Sequence, residues 1–321
     1  MSTATLNLQL RAIRLVAERT HAFELAHPDG SALPPAPAGA HVDVHLPGGL
    51  MRPYSLAGDP QDRSHWLLGV LREAEGRGGS RSLHDSVRVG DMLAVSAPRN
   101  AFALAAEARH SVLLAGGIGI TPLKAMAHAL AAAGAAFELH HCARSPRHAA
   151  FADALRTVVP TGRLHHHFDG GDPAKGLDMA ALLARPAPGT HLYCCGPAGF
   201  MQACADASQH WPAGSVHFEH FKAPAAAPTA PTLAAGSFEV LLARHGIRLQ
   251  VQPEESIVSA IEAAGLHVPT SCLSGLCGAC KTDYLEGEVD HQDFILSDEE
   301  HRHCMTLCVS RARSPLLVLD L

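Results

Sequence analysis

The 321-residue sequence contains no run of 18 consecutive apolar residues, so it predicts no membrane-spanning helix. It has no block of basic residues either. Lys and Arg number 25 against 31 Asp and Glu, a formal net charge of −6, which argues against nucleic acid as a partner. The start, Met1-Ser2-Thr3-Ala4-Thr5-Leu6, lacks a charged segment followed by an apolar one, so no signal peptide is expected. A disulfide framework is also missing: nine cysteines is an odd count, and their use fits a reduced, cytoplasmic setting. Neither G-x-G-x-x-G nor the Gly-Lys-Ser/Thr of a Walker loop occurs. What remains is an apolar fraction of 47%, enough for real cores, in a chain long enough for two or three domains.

The most specific motif is Cys272-Leu273-Ser274-Gly275-Leu276-Cys277-Gly278-Ala279-Cys280, with Cys308 standing further on. The spacing C-x4-C-x2-C…C is that of a plant-type [2Fe–2S] site, in which each of two irons takes two thiolates. Gly275, Gly278 and Ala279 let the loop wrap a cluster and turn backbone N–H groups toward its sulfurs, which helps set the potential. Structural zinc is the alternative, but zinc ligands usually come as two close pairs and Cys308 is solitary. A cluster of this type carries one electron, so the pattern points to electron transfer.

Residues 223–235, rich in Pro and Ala, read as a spacer. Beyond it, over 236–321, a strand at Ser237 to Arg244, a turn at His245-Gly246, a strand at Ile247 to Val251, a helix from Ser256 to Ala264 and a closing strand at Leu316 to Leu321 match a small β-grasp ferredoxin. Ser297-Asp298-Glu299-Glu300 reads as a capping box opening a short helix. Over 107–222 strands alternate with helices: Ser111 to Ala115, a helix from about Leu123 to Ala133, Phe137 to Cys142, a helix at Ala149 to Val158, and His191 to Cys195. That alternation predicts a parallel α/β sheet. Residues 1–106 carry short alternating runs such as His41 to Leu46 and Trp66 to Leu71, broken by Gly and Pro, which predict a small antiparallel barrel.

Several short stretches in these two segments could bind a nucleotide or flavin. Gly116 to Pro122 follows a strand and opens a helix, where glycines admit a pyrophosphate and the helix start favours its charge. Cys194-Cys195-Gly196-Pro197 lies at another strand's carboxyl end, the edge where open α/β sheets bind ligands. Neighbours on a strand point oppositely, so one cysteine faces the site, and Cys195 is the expected one. Arg52-Pro53-Tyr54-Ser55 places a cation, a ring and a hydroxyl on one extended run. Gly76 to Asp85 offers glycine N–H groups, Ser80 as a helix cap and adjacent Arg side chains, the makings of a terminal-phosphate cradle.

In this order, with the ferredoxin last, the pieces resemble the phthalate dioxygenase reductase family, which includes vanillate demethylase reductases. The resemblance runs over nearly the whole chain. It implies an antiparallel β-barrel flavin domain, a ferredoxin–NADP reductase-like α/β nucleotide domain and a C-terminal β-grasp ferredoxin. It further implies FMN, NADH as donor and a terminal Rieske-type oxygenase of aromatic catabolism as acceptor, with the protein expected to act as a monomer. By the same resemblance Arg52, Tyr54, Ser55, Leu71 and Arg72 contact FMN and Gly79 and Ser80 hold its phosphate. Gly117, Thr121, Cys195 and Pro197 line the nicotinamide nucleotide site, and Phe221 is the aromatic near the flavin, with Glu219 beside it. Cys272, Cys277, Cys280 and Cys308 ligate the cluster, and Cys304 is a bystander. Alternative acceptors are a cytochrome P450 or a dihydroorotate dehydrogenase partner. The latter usually goes with FAD, against which the Gly-Gly-Ser cradle argues. The tract His165-His166-His167 is not expected to ligate a metal, because alternate strand residues face opposite ways. After the second nucleotide-domain strand no carboxylate occurs through Arg147. Arg144, Ser145 and Arg147 could therefore admit a 2′-phosphate, so NADPH use beside NADH is expected.

Overall fold

The computed structural model describes residues 5–222 and 236–321, so the expected spacer lies outside the described residues. One compact unit runs to Phe221 and a second begins at Lys222.

The first unit opens with an antiparallel barrel. Its strands are β1 (Thr5–Ala17), β2 (Thr20–Ala26), β3 (His41–Leu46), β4 (Leu50–Ser55), β5 (Trp66–Leu71) and β6 (Met92–Ser96), in the order β4-β3-β6-β1-β2-β5. A bridge between Leu56 and Leu68 joins the two end strands and closes the barrel. Leu8, Leu10, Phe23, Leu25, Val42, Val44, Leu68 and Val95 fill it. Each alternates along its strand with outward residues, which is why the period-two runs were legible. Helix α1 (Gly79–Ser86) lies between β5 and β6 and buries Leu83 in the same core.

The unit continues with β7 (His110–Gly116), α2 (Ile120–Ala132), β8 (Phe137–Ala143), α3 (Ala152–Val158), β9 (Leu164–Phe168), α4 (Met179–Leu183), β10 (Thr190–Cys195), α5 (Ala198–Ala207) and β11 (Val216–Glu219). All five strands run parallel in the order β11-β10-β7-β8-β9. Leu113, Leu139, Tyr193 and Cys195 pack beneath α2 and α3, joined by Ala22, Leu67 and Phe102 from the barrel side. Val112, Leu114, Leu192 and Cys194 face α4 and α5. Two helices start elsewhere than expected. Helix α2 begins at Ile120, because Pro122 has no N–H to spare and suits a first turn. Over Ala149 to Val158, α3 begins only at Ala152, after a short 3-10 turn at Pro146–His148 and a left-handed Phe151, φ 60°.

The second unit comprises β12 (Phe238–Leu242), β13 (Ile247–Val251), α6 (Ile257–Ala263), β14 (Lys281–Glu286), β15 (Val289–Asp290), β16 (Cys304–Thr306), β17 (Arg311–Ala312) and β18 (Leu316–Leu319). The main sheet runs β13-β12-β18-β14-β16, with β12 and β18 parallel and the other pairs antiparallel. Ser256 caps α6, accepting from the Ser259 N–H. The capping box forms between Ser297 and Glu300, but the turn it opens is a 3-10 turn at Glu300–Arg302 rather than an α-helix. Among the described residues no helix is long and apolar enough to cross a membrane.

Candidate functional site

The cluster loop lies between α6 and β14. Its backbone takes positive φ at Leu273 (52°), Gly275 (71°) and Gly278 (69°), which curls the segment inward. A Cβ on Gly275 would sit 2.8 Å from Val309 and 3.1 Å from the Asp293 backbone, so glycine is required there for space as well as for φ. Cys272, Cys277 and Cys280 are buried and Cys308 is partly so. Two backbone donors already reach the sulfurs: the Cys272 N–H to Cys277 Sγ at 3.4 Å and the Leu276 N–H to Cys272 Sγ at 3.3 Å. N–H groups of Ala279, Leu307 and Gly275 are directed at Cys277, Cys280 and Cys308 respectively. Contact with the thiols of Cys277 and Cys308 lowers the pKa of Cys272, while contact with Cys272 and Cys280 raises that of Cys308. Four sulfurs crowded so closely under N–H donors fit a [2Fe–2S] cluster, whose iron replaces the thiol protons. Cys304 does not join them; its thiol donates to Asp283 Oδ1 at 3.0 Å across the β14–β16 pair.

In the first unit, strand β4 delivers Arg52, Tyr54 and Ser55 in sequence. The Arg52 stem crosses α1 at its start, and a Cβ on Gly79 would lie 2.4 Å from Arg52 Cγ. The guanidinium donates to the carbonyls of Met51 and Arg77, each at 2.7 Å. Burial, then the charge of Arg77, lowers the Arg52 pKa, so an anion in this corner would relieve both. Burial raises that of Tyr54. The start of α1 differs from expectation. Gly78, at φ 85°, takes the cap position with no side-chain cap, and Ser80 lies inside the first turn, its Oγ accepting from the Glu73 N–H at 3.1 Å. Only glycine adopts that φ cheaply, which displaces Ser80 from the cap. A helix start uncapped by any side chain, beside Arg52 and floored by Gly79, fits a terminal phosphate. Leu71 ends β5 toward this corner, whereas the Arg72 guanidinium turns to Asp85 in a two-point pair of 2.8 and 3.0 Å.

The glycine loop after β7 and the Cys-Gly-Pro turn after β10 meet at the carboxyl edge of the sheet. A Cβ on Gly119 would fall 2.1 Å from the Cys195 carbonyl oxygen, and one on Gly116 2.9 Å from Pro197. Gly117, at φ 56°, faces open space. Thr121 is buried, donates to the Ile118 carbonyl at 3.1 Å, and packs its methyl where a Cβ on Gly69 of β5 would lie, 2.6 Å away. No side chain caps α2, and Pro197 caps α5.

Ser55, Cys195 and Glu219 converge. Glu219 pairs with Cys195 across β11 and β10, and Ser55 Oγ donates to Glu219 Oε2 at 3.2 Å. Burial pushes the Glu219 carboxyl up to about 8, with the Ser55 hydrogen bond opposing. Burial and the Glu219 charge raise the Cys195 thiol. Cys194 points the other way, against Met201. Phe221, two residues past Glu219, stays 39% exposed.

Asp169 escaped the sequence reading. Its carboxylate caps the Gly171 N–H at 2.7 Å and raises the Cys142 thiol as the second cause after burial, so it stands near the end of β8. It follows β9, and only the β8–β9 pairing reveals it. Ser145, by contrast, is tied to His148 Nδ1 at 2.8 Å. A cleft of 800 Å3 lined by Val16, Leu67, Lys124, Phe151, His166 and Phe168 includes none of the expected site residues.

Together these features define a class: an oxidoreductase joining a flavin- and nucleotide-type reductase unit to an iron–sulfur unit. The profile of the "2Fe-2S iron-sulfur cluster binding domain" matches residues 240–313. The tert-butanol monooxygenase / tert-amyl alcohol desaturase reductase subunit of Aquincola tertiaricarbonis is 48% identical, over 98% of this chain and 96% of that one. A solved phthalate dioxygenase reductase, described as modular for electron transfer from pyridine nucleotides to [2Fe–2S], matches with TM-score 0.73 and 40% identity over 99% of this chain and 98% of that one. An intact type IV self-sufficient cytochrome P450 monooxygenase matches with TM-score 0.89 and 36% identity, covering 99% of this chain but 41% of that longer one. The chain belongs to the phthalate dioxygenase reductase family of oxygenase reductases.

Proposed function

We propose that this protein is the NADH-dependent reductase component of a multicomponent Rieske-type oxygenase or demethylase acting on an aromatic compound. The observation that carries the reading is the union in one chain of four convergent sulfurs with an uncapped helix start beside Arg52 and Gly79. Residues to about 106 form the flavin domain, 107–222 the nucleotide domain and 236–321 the ferredoxin. Arg52 and the N–H groups of Gly79 and Ser80 hold the FMN phosphate, and Tyr54, Ser55, Leu71 and Arg72 border the flavin. Gly117, Thr121, Cys195 and Pro197 receive NADH, the pyrophosphate lying at the α2 start. Glu219 and Ser55 hold the hydrogen-bonded edge between the two ligands, and Phe221 shields the flavin. When bound, the flavin takes two electrons at once and yields them singly, and the cluster at Cys272, Cys277, Cys280 and Cys308 relays each one. Because those groups supply the redox chemistry, the chain's task is positioning and exclusion of water, and no general base is required.

The match to a self-sufficient P450 supports a second reading, a haem acceptor served by the same two units. The visible spectrum and an acceptor panel test both. Flavin and iron–sulfur bands, with NADH-driven reduction of a Rieske oxygenase, support the proposal. A colourless, zinc-loaded protein overturns it, and reduction of a P450 in preference to any Rieske acceptor establishes the second reading.

A further inference from the structure

The histidine tract on β9 takes on a new character once its neighbour is in place. Strands β8 and β9 pair with His140 opposite His165 and Cys142 opposite His167. Alternation does split the tract, sending His166 to the side of His141. Yet it leaves His165 and His167 on the same face as His140 and Glu138. Their rings are layered: His140 and His165 have centroids 4.7 Å apart, and His140 and His167 5.3 Å. His140 is 5% exposed. Its Nδ1 stands 3.0 Å from His167 Nε2, a hydrogen bond that fixes the ring. Its Nε2 is buried and, among the described residues, has no hydrogen-bond partner. That nitrogen faces Glu138 Oε2 at 3.7 Å, outside hydrogen-bond reach. The other Glu138 oxygen lies 3.6 Å from His110 Nε2. One ligand atom from each of Glu138, His140 and His165 lies within 4.8 Å of the other two. None of these residues has a part in the reductase chemistry.

We propose that Glu138, His140 and His165 form a binding site for a divalent cation of the zinc class. The ligand chemistry selects it: two imidazoles and one carboxylate suit zinc, cobalt or nickel, whereas magnesium and calcium want oxygen throughout. Zinc bonds of about 2.0–2.1 Å in a tetrahedron put neighbouring ligand atoms about 3.3 Å apart. The 3.7 Å gap between His140 and Glu138 closes with a shift of a few tenths of an ångström, and the partly buried His165, whose ligand atom stands within 4.8 Å of theirs, closes by turning its stacked ring inward. The orphaned nitrogen favours it, because a buried imidazole nitrogen left without a partner is destabilising, and a bonded cation removes that cost. His167 supplies the second layer that metal-bound histidines need, gripping the far ring nitrogen and setting the tautomer. Glu138 and His165 are only partly buried, so an ion enters from solvent and one coordination position stays open to water or His110. The competing occupant is a proton, which would make Glu138 and His140 a simple ion pair.

Equilibrium dialysis of the FMN- and cluster-loaded protein against zinc, read by elemental analysis, separates the two. The expected result is one zinc per chain beyond the two irons at micromolar zinc. His165→Ala and Glu138→Gln, both partly exposed and tolerable to the fold, should each weaken that binding by about 100-fold or more. His167→Phe, which keeps a ring but loses the grip on His140, should weaken it by about tenfold. His291→Ala, in the second unit's His291, Asp293 and His301 cluster, should leave it unchanged. Absence of the extra zinc, or zinc retained at full affinity in both His165→Ala and Glu138→Gln, overturns the proposal.

Discussion

Glu219→Gln is the sharpest probe of the site, because it changes one proton and little else. Burial raises the Glu219 carboxyl from 4.5 to about 8. In the unfolded chain it titrates near 4.5, so between that value and 8 the unfolded state sheds a proton the folded state retains. The carboxyl's contribution to stability is therefore fully present below pH 4.5, declines through the window, and is gone above 8. At about 1.36 kcal/mol per pH unit the ceiling is about 4.8 kcal/mol. Glu219 is only partly buried and water eases the charge, so about 2 kcal/mol is the expected size. Gln cannot ionise, and its carbonyl still accepts from Ser55. Wild type and variant should thus be equally stable at pH 4.5, and the variant should be about 2 kcal/mol more stable at pH 8.5. Both tryptophans, Trp66 and Trp211, are buried in the first unit, so urea unfolding followed by intrinsic fluorescence reports on that unit. A stability difference that stays constant from pH 4.5 to 9 would refute the reasoning, since it would mean that Glu219 is ionised in the folded state throughout.

Replacing Cys272, Cys277, Cys280 or Cys308 by Ser should abolish the electron paramagnetic resonance signal of the reduced protein, while Cys304→Ser, whose thiol is engaged by Asp283, should leave it intact. Loss of the signal in Cys304→Ser would overturn the ligand assignment. Cofactor released by heat should be FMN at one equivalent by mass spectrometry, and Gly79→Ala should lower its retention by about tenfold or more, because the new methyl meets Arg52 Cγ at 2.4 Å; one equivalent of FAD refutes the single-phosphate cradle. Gly119→Ala should lower the melting temperature, as a Cβ 2.1 Å from the Cys195 carbonyl must push the glycine loop and the Cys-Gly-Pro turn apart at a cost of about 1–3 kcal/mol; an unchanged melting temperature would mean the two segments yield freely. In cytochrome c reduction kcat/KM should favour NADH over NADPH modestly, and Asp169→Asn should narrow the gap; a higher value with NADPH would show that Arg144 and Arg147 outweigh Asp169.

How much of this was legible in the sequence follows from how far apart the interacting residues stand along the chain. The curl of the cluster loop was readable because three cysteines and the glycines that bend the segment lie within nine residues, so spacing alone reports geometry. The same holds for β13, whose alternation and flanking turn are local, and for the Ser256 cap. Boundaries failed where one residue's backbone outweighed the pattern. Gly78 took the cap position from Ser80, and the left-handed Phe151 delayed α3.

What stayed hidden was set by strand order. Glu219 meets Ser55 across 164 residues, and Asp169 reaches the end of β8 only because β9 pairs there. The histidines make the point most sharply. Seen along one strand, His165-His166-His167 argues against a shared ligand, since alternate side chains diverge. Seen across two, divergence becomes the reason the cluster exists: it is what puts His165 and His167 on the side where His140 and Glu138 already stand. Period-two alternation is thus informative about a strand's faces, but silent about who shares a face until the neighbour is known. In a parallel sheet the neighbour comes only after a crossover helix. Chemistry confined to one loop can be read from the sequence; chemistry assembled across a sheet needs the register.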